Sequence, residues 1–184
     1  MPVELSTARC KLRQWTASDR APFAAMNSDP SVMRYFPALL TRAESDASAD
    51  RMQSVIAERG WGFWALEILG VTEFAGFVGL NEPTWSAHFT PCVEVGWRLA
   101  TEFQGRGYAT EAARAAITYG FENLFLTEIV ALTIPANTPS RRVMEKLGMI
   151  HDVHGDFDHP RIDPDHPTAR HVLYRLGRNA SLEK

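Results

Sequence analysis

Between Val93 and Thr110 lies the segment that most restricts how this chain can fold. An alternating strand, Val93–Leu99, leads through a short loop into Gln104-Gly105-Arg106-Gly107-Tyr108-Ala109, which opens a long helix. Two glycines let backbone approach a ligand closely, and the first helical N–H groups have no intrahelical acceptor. Together with the helix dipole, such a junction suits a phosphate or pyrophosphate, with Gln104 and Arg106 able to add side-chain contacts. A Walker A loop is excluded because no Gly-Lys-Ser/Thr closes it. A dinucleotide fingerprint fails at its third small residue, where Thr110 stands. Glu128, about twenty residues on, begins its strand, whereas the ribose-binding acid belongs at a strand's end.

The rest of the chain reads as one α/β domain, taken as residues 1–184, with 45% hydrophobic and 22% charged residues. A net charge of −3 argues against nucleic acid or an acidic membrane as partner. Cys10 and Cys92 are too few for a disulfide framework and fit a reducing compartment. Residues 1–7 lack a signal-peptide pattern, and no apolar run approaches the ~18 residues of a membrane span. A cytoplasmic location is expected.

Arg9–Trp15 reads as a strand with Cys10 and Leu12 on one face. Thr16/Asp19 and Thr41/Glu44 have capping-box spacing, predicting helices to about Met26 and about Arg59, the second stopped by Gly60. Ser28–Leu40, with Pro30 and Pro37, is a loop. Trp61–Leu69 and Phe74–Leu80 form a hairpin around Gly70–Glu73. The helix Gly107–Leu124 carries an apolar stripe of Ala109, Ala113, Ala116, Ile117, Gly120, Phe121 and Leu124. A strand Glu128–Ile134 precedes a helix Thr138–Leu147, with Pro139 at its first position and Gly148 past its end. Strands Ile150–Phe157 and Arg170–Leu176 complete a mixed α/β sandwich.

The junction Gln104-x-x-Gly107-x-Ala109 resembles the pyrophosphate signature of the GNAT superfamily of N-acetyltransferases. Asn137-Thr-Pro-Ser140-Arg-Arg-Val-Met144-Glu-Lys-Leu-Gly148 resembles that superfamily's second motif. Asn27-Ser-Asp-Pro30-Ser-Val-Met-Arg-Tyr-Phe36, Phe77-Val-Gly-Leu80 and His171-Val-Leu-Tyr174 are similar to the RimJ/RimL-type branch, so the resemblance spans about Arg9 to Arg178. It implies the GNAT fold: a mixed, mostly antiparallel sheet flanked by helices and splayed between the Val93–Leu99 and Glu128–Ile134 strands. It implies acetyl-CoA as co-substrate, its pantetheine pairing with backbone at Trp97, Arg98 and Leu99. Asn137 would bond that arm, and Gln104, Gly105, Arg106, Gly107, Tyr108, Ala109 and Thr110 would hold the pyrophosphate. The implied reaction is direct attack by a primary amine (a protein N-terminus, an amino acid or a small amine) on the thioester. A homodimer is also implied by the branch.

Direct attack needs a base for the ammonium, donors for the oxyanion and a partner for the departing thiolate. The resemblance points to Glu94 as base and to a backbone N–H of its strand as oxyanion donor. Strand alternation also allows Glu94 to be an exposed charge beside Gly96 and Arg98. Many superfamily members carry tyrosine where this chain has Met144, which has no proton to give. Ser140 matches the branch's serine and can hydrogen-bond the thiol sulfur, with Tyr174 as fallback. Without an acyl-enzyme, Cys92 is a packing residue. Among Trp61, Trp64, Trp85 and Trp97, Trp64 is a candidate for the acceptor pocket. The missing tyrosine keeps open a second reading, a non-catalytic acyl-CoA-binding sensor or interaction module.

Five of six histidines (His151, His154, His159, His166, His171) cluster near the end of the chain and suggest a metal. If Ile150–Phe157 is a strand, His151 and His154 point to opposite faces and cannot chelate together, so no metal is expected. The loop is then expected to border the acceptor site, with Asp158 or His159 binding or deprotonating the amine.

Overall fold

The Thr41 capping box opens its helix as the spacing predicts. Glu44 Oε2 accepts from Thr41 N at 2.8 Å, and Thr41 Oγ1 accepts from Glu44 N at 3.3 Å. In this computed structural model, which describes residues 2–178, helix α2 (Arg42–Arg59) ends at Gly60 with φ 85°. Residues 1 and 179–184, included in the single-domain expectation, lie outside the described residues. At the other box, Asp19 Oδ2 accepts from Thr16 N at 2.8 Å, and a 3₁₀ turn leads into α1 (Arg20–Ser28). Asp19 is buried and takes Arg13 in two bonds, Nη1 to Oδ2 at 2.8 Å and Nη2 to Oδ1 at 2.9 Å. This fork-to-fork pair fixes the start of α1 against the first long strand.

The strands are β1 (Leu5–Ser6), β2 (Cys10–Arg13), β3 (Phe63–Ile68), β4 (Thr72–Asn81), β5 (Glu94–Leu99), β6 (Glu128–Thr133), β7 (Ile150–His151), β8 (Phe157–Asp158) and β9 (Arg170–Gly177). Their order is β1-β2-β3-β4-β5-β6-β9-β7, with β8 on β9. Neighbours are antiparallel except β5 and β6, which are parallel and matched only at Glu94 and Val130. Val130 N donates to Val93 O at 3.0 Å at that end, and the strands then part. The mostly antiparallel, splayed sheet is the one the resemblance implied.

Helix α3 (Tyr108–Glu122) buries Ala112, Ala113, Ala116, Ile117, Gly120 and Phe121 against the sheet. Small residues along this stripe let the helix lie close to β4 and β5. Helices α1 and α2 pack together on β3 and β4, and α4 (Thr138–Lys146) packs on β6. Among the described residues no helix is long and apolar enough to cross a membrane.

Two elements differ from expectation. The β3–β4 turn occupies Leu69–Val71, because Gly70 alone takes the positive φ, 71°, and Val71 N bonds Ile68 O at 2.9 Å; Thr72 and Glu73 are already strand. Ile150–Phe157 is not one strand. After β7, Asp152 Oδ1 accepts from Gly155 N at 3.1 Å and caps a 3₁₀ turn, Val153–Gly155, before β8 begins. A local side-chain bond outcompetes the ladder there.

Candidate active site

Where β5 and β6 part, a cavity of about 450 Å³ opens. Gly96 and Arg98 of β5 lie on its floor with Phe63 and Phe77, while Val95 and Leu99 alternate into the core. A Cβ on Gly96 would stand 3.0 Å from the Phe63 ring, so glycine keeps this floor open. Leu132 and Thr133 of β6 and Asn137, Ser140 and Met144 of the α4 region form the opposite wall. The 29–40 loop closes one side through Tyr35 and Phe36, and His159, Arg161 and His171 close the other.

Glu94 is half-buried on the same face of β5 as Gly96, one pleat beyond the cavity wall. Asn81 Nδ2 donates to its Oε1 at 2.8 Å. Burial pushes the carboxyl up to about 7, against the smaller opposing effect of the Asn81 bond. Ser140 sits in the first turn of α4 and faces the cavity. Its backbone N donates to Asn137 Oδ1 at 3.2 Å, and Asn137 Nδ2 donates to Thr133 Oγ1 at 2.9 Å. Asn137 thus caps α4 and ties it to β6, with one Nδ2 hydrogen beyond these bonds. Met144 lines the wall where a tyrosine was expected of the wider superfamily. Tyr174 is buried in the core instead; its hydroxyl accepts from Arg141 Nε at 3.2 Å and donates to Glu145 at 3.4 Å. Burial, then the nearby Glu94 charge, pushes the Cys92 thiol up to about 11, so it stays protonated and is no nucleophile.

At the start of α3, Gly105 and Gly107 adopt φ of 72° and 87°, and no side chain caps the helix. The N–H groups of its first turn (Tyr108, Ala109, Thr110) therefore remain available to an anion. Gln104 is exposed, and its Nε2 donates to Leu99 O at 2.8 Å, which ties the loop to the end of β5. Arg106 is exposed, and its carbonyl accepts from Arg9 Nη1 at 3.2 Å. Sequence reasoning missed Arg9 as a neighbour of this loop. Glu111 Oε2 holds Arg9 Nε at 2.7 Å, and the guanidinium lies 4.7 Å from the Tyr108 ring centroid. Strand parity marked Arg9 as polar-facing, but only the assembled sheet shows what that face meets.

Two acceptor-side expectations are corrected. Trp64 is fully buried on the α3 side of β3, its Nε1 bonded to Val3 O at 2.8 Å and its ring edge-on to Tyr119. Its neighbour Phe63 lines the cavity instead. Asp158 is exposed and faces Arg170 at 3.5 Å, whereas His159 reaches the cavity and packs on Trp85 at 4.8 Å. Successive residues point to opposite sides, so the pair divides. The parity argument against a metal also lapses, since His151 and His154 do not share a strand. His151 Nε2 bonds Asp156 Oδ1 at 2.8 Å, and among the described residues no group of three or more ligand-type side chains converges.

The acetyltransferase (GNAT) domain family matches residues 9–150. The chain belongs to the GNAT acetyltransferase family. The N-acetyltransferase YnaD of Bacillus subtilis is 31% identical over 148 residues, 80% of this chain and 82% of that protein. The FsC-acetyl coenzyme A-N(2)-transacetylase of Aspergillus fumigatus is 32% identical over 154 residues, 80% of this chain and 65% of that protein. RimJ of Mycobacterium smegmatis, solved with CoA-disulfide, superposes with a TM-score of 0.78 at 20% identity, covering all of this chain and 90% of that one; the likeness shows a common fold. In this GNAT enzyme the β5–β6 fork, the uncapped α3 start and the cavity are contiguous along β5 and the loop after it.

Proposed function

We propose that the protein transfers an acetyl group from acetyl-CoA to the primary amine of a small molecule or peptide by direct attack. The observation that carries this is the parting of β5 from β6. It leaves the Trp97 backbone and the Leu99 N–H unladdered on the β6 side, between the uncapped start of α3 and the cavity walled by Ser140, while Arg98, of the opposite parity, turns its own backbone groups to Phe77 of β4. An extended amide-bearing arm ending in pyrophosphate fits this run of groups, and acetyl-CoA when bound supplies the activated acyl carbon. The Aspergillus relative is named for acetyl coenzyme A and an N(2) position, which supports the same donor and acceptor atom.

Each residue then has a task. Glu94, whose carboxyl titrates near neutrality, takes the proton of the incoming ammonium through water, since one pleat (~7 Å) separates it from Gly96 on the floor. His159 is a second base on the wall; burial, His171 and Arg161 lower its pKa and keep it unprotonated at neutral pH. A β5 backbone N–H faces the developing oxyanion, and the Ser140 hydroxyl donates to the departing thiolate. The amine nitrogen bonds the acyl carbon as the carbon–sulfur bond breaks.

The test is a panel of N-terminal peptides, amino acids and amines incubated with acetyl-CoA, read by thiol release and by mass spectrometry of the acetylated product. Enzyme-dependent acetylation of at least one amine is expected. Binding of acetyl-CoA without thiol release above the enzyme-free rate overturns the reading and leaves an acyl-CoA-binding module.

A further inference from the structure

Arg98 is a cation set into the cavity without an anion. Its guanidinium stacks 3.9 Å from the Phe36 ring centroid and 5.4 Å from that of Phe77. Nη1 donates to Asn27 Oδ1 at 2.7 Å, and buried Asn27 is anchored in turn by its Nδ2 on Ser45 Oγ at 2.9 Å. No carboxylate pairs with Arg98, and its buried Nε–H finds no acceptor among the described residues. Burial lowers its pKa to about 10, which leaves it charged at neutral pH. A buried cation with an unused N–H is costly unless something compensates it.

The surroundings repeat the sign. Arg161 lines the same cavity, held by neutral Thr84 through Nη2 to Oγ1 at 2.7 Å. No lining residue is Asp or Glu. His159 and His171 lie below their ordinary range, chiefly through burial, so they neither add charge nor neutralise it. Glu94 stands beyond the wall and is engaged by Asn81.

We propose that the acceptor is a small amine that also bears a carboxylate, as an amino acid does, and that Arg98 is the residue that binds this carboxylate. The inference rests on the acetyl-transfer reading and narrows its substrate class. Stacking on Phe36 and the bond of Nη1 to Asn27 hold the guanidinium plane in place, leaving Nη2 as the donor that meets the carboxylate. A polyamine or other multiply cationic amine meets two guanidinium groups and is disfavoured.

The experiment compares an amino acid with its own carboxamide as acceptors, in wild type and in Arg98→Gln and Arg98→Lys. Wild type is expected to prefer the acid by about tenfold or more in kcat/KM, the usual strength of a charged hydrogen bond. Arg98→Gln abolishes this preference through the acceptor KM and leaves the acetyl-CoA KM unchanged, because β5 offers the cofactor arm its backbone. Arg98→Lys retains part of the preference, and its melting temperature separates misfolding from lost recognition. Equal use of acid and carboxamide by wild type, or an undiminished preference in Arg98→Gln, overturns the proposal. If no amine is acetylated, it is the transfer reading that has failed. Calorimetry of acid and carboxamide binding to the CoA-loaded wild type then decides the carboxylate site alone: tighter binding of the acid supports it, and equal binding overturns it.

Discussion

Asn81 Nδ2 meets Glu94 Oε1 at 2.8 Å across β4 and β5, so the half-buried Glu94 has a neutral donor as partner and, among the described residues, no cation. Nothing offsets its desolvation fully, and its pKa rises to about 7. The general-base role proposed for Glu94 predicts that kcat/KM climbs with pH and levels off above about 7. Glu94→Gln should lower kcat by about 10²–10⁴ and remove that limb from the pH–rate profile. A limb that survives in the variant would transfer the role to His159.

The same shift has a stability consequence of opposite sense. Between the ordinary value of 4.5 and about 7, the folded protein holds a proton at Glu94 that the unfolded chain has released. Stability therefore falls as pH rises through this window. Above it, Glu94→Gln, whose amide oxygen still accepts from Asn81, should be more stable than wild type by about 1–3 kcal/mol. Urea titrations at pH 5 and pH 8 measure the difference, which should be small at the lower pH.

Ser140→Ala separates catalysis from capping. The cap bond uses the backbone N of Ser140, so alanine retains it. Melting temperature should be unchanged, while kcat falls about tenfold with both KM values kept, as one hydrogen bond to the departing thiolate is lost.

Gly107→Ala places a Cβ at φ 87°, a conformation that costs an L-residue about 1–2 kcal/mol. The first turn of α3 should rotate away from its anion-receiving geometry. Calorimetric titration with CoA is expected to show a loss of affinity of tenfold or more, with far-UV circular dichroism unchanged.

Asp19→Ala removes the two-point partner of the Arg13 guanidinium, which keeps the Glu67 carboxylate at 3.3 Å. A destabilisation of about 1.5–3 kcal/mol in denaturant is expected, since charge-assisted bonds are lost but Arg13 is not left unpaired. The acetyl-CoA KM of the folded fraction should not change, because the pair lies away from the β5–β6 fork.

What could be read from the chain depended on how local its causes are. Thr41–Glu44 and Gly60 act within a turn of backbone, so α2 was legible from spacing alone. The α3 junction was legible because helix-start chemistry needs only its own residues. Ile150–Phe157 alternates like a strand, yet Asp152 bonds its own loop, and alternation cannot report that competition. Trp64 and Phe63 were separable by parity, but which of them meets the cavity depends on where α3 docks. Arg98 was read for its backbone, and the partner that fixes its side chain, Asn27, is 71 residues away. No spacing rule reaches across that interval.

The single rung joining β5 to β6 leaves the molecule with two half-sheets stitched at one point. Unpaired strand edges usually lie at a sheet's rim, where any passing strand can add to them. Here two such edges face each other inside a fork whose base is sealed at Val93 and Val130, and a slender amide arm is the shape that can zip it. Binding such an arm lengthens the sheet's hydrogen-bonded span without adding a strand, so amide exchange at Trp97 and Leu99 becomes a direct gauge of whether the two halves are joined.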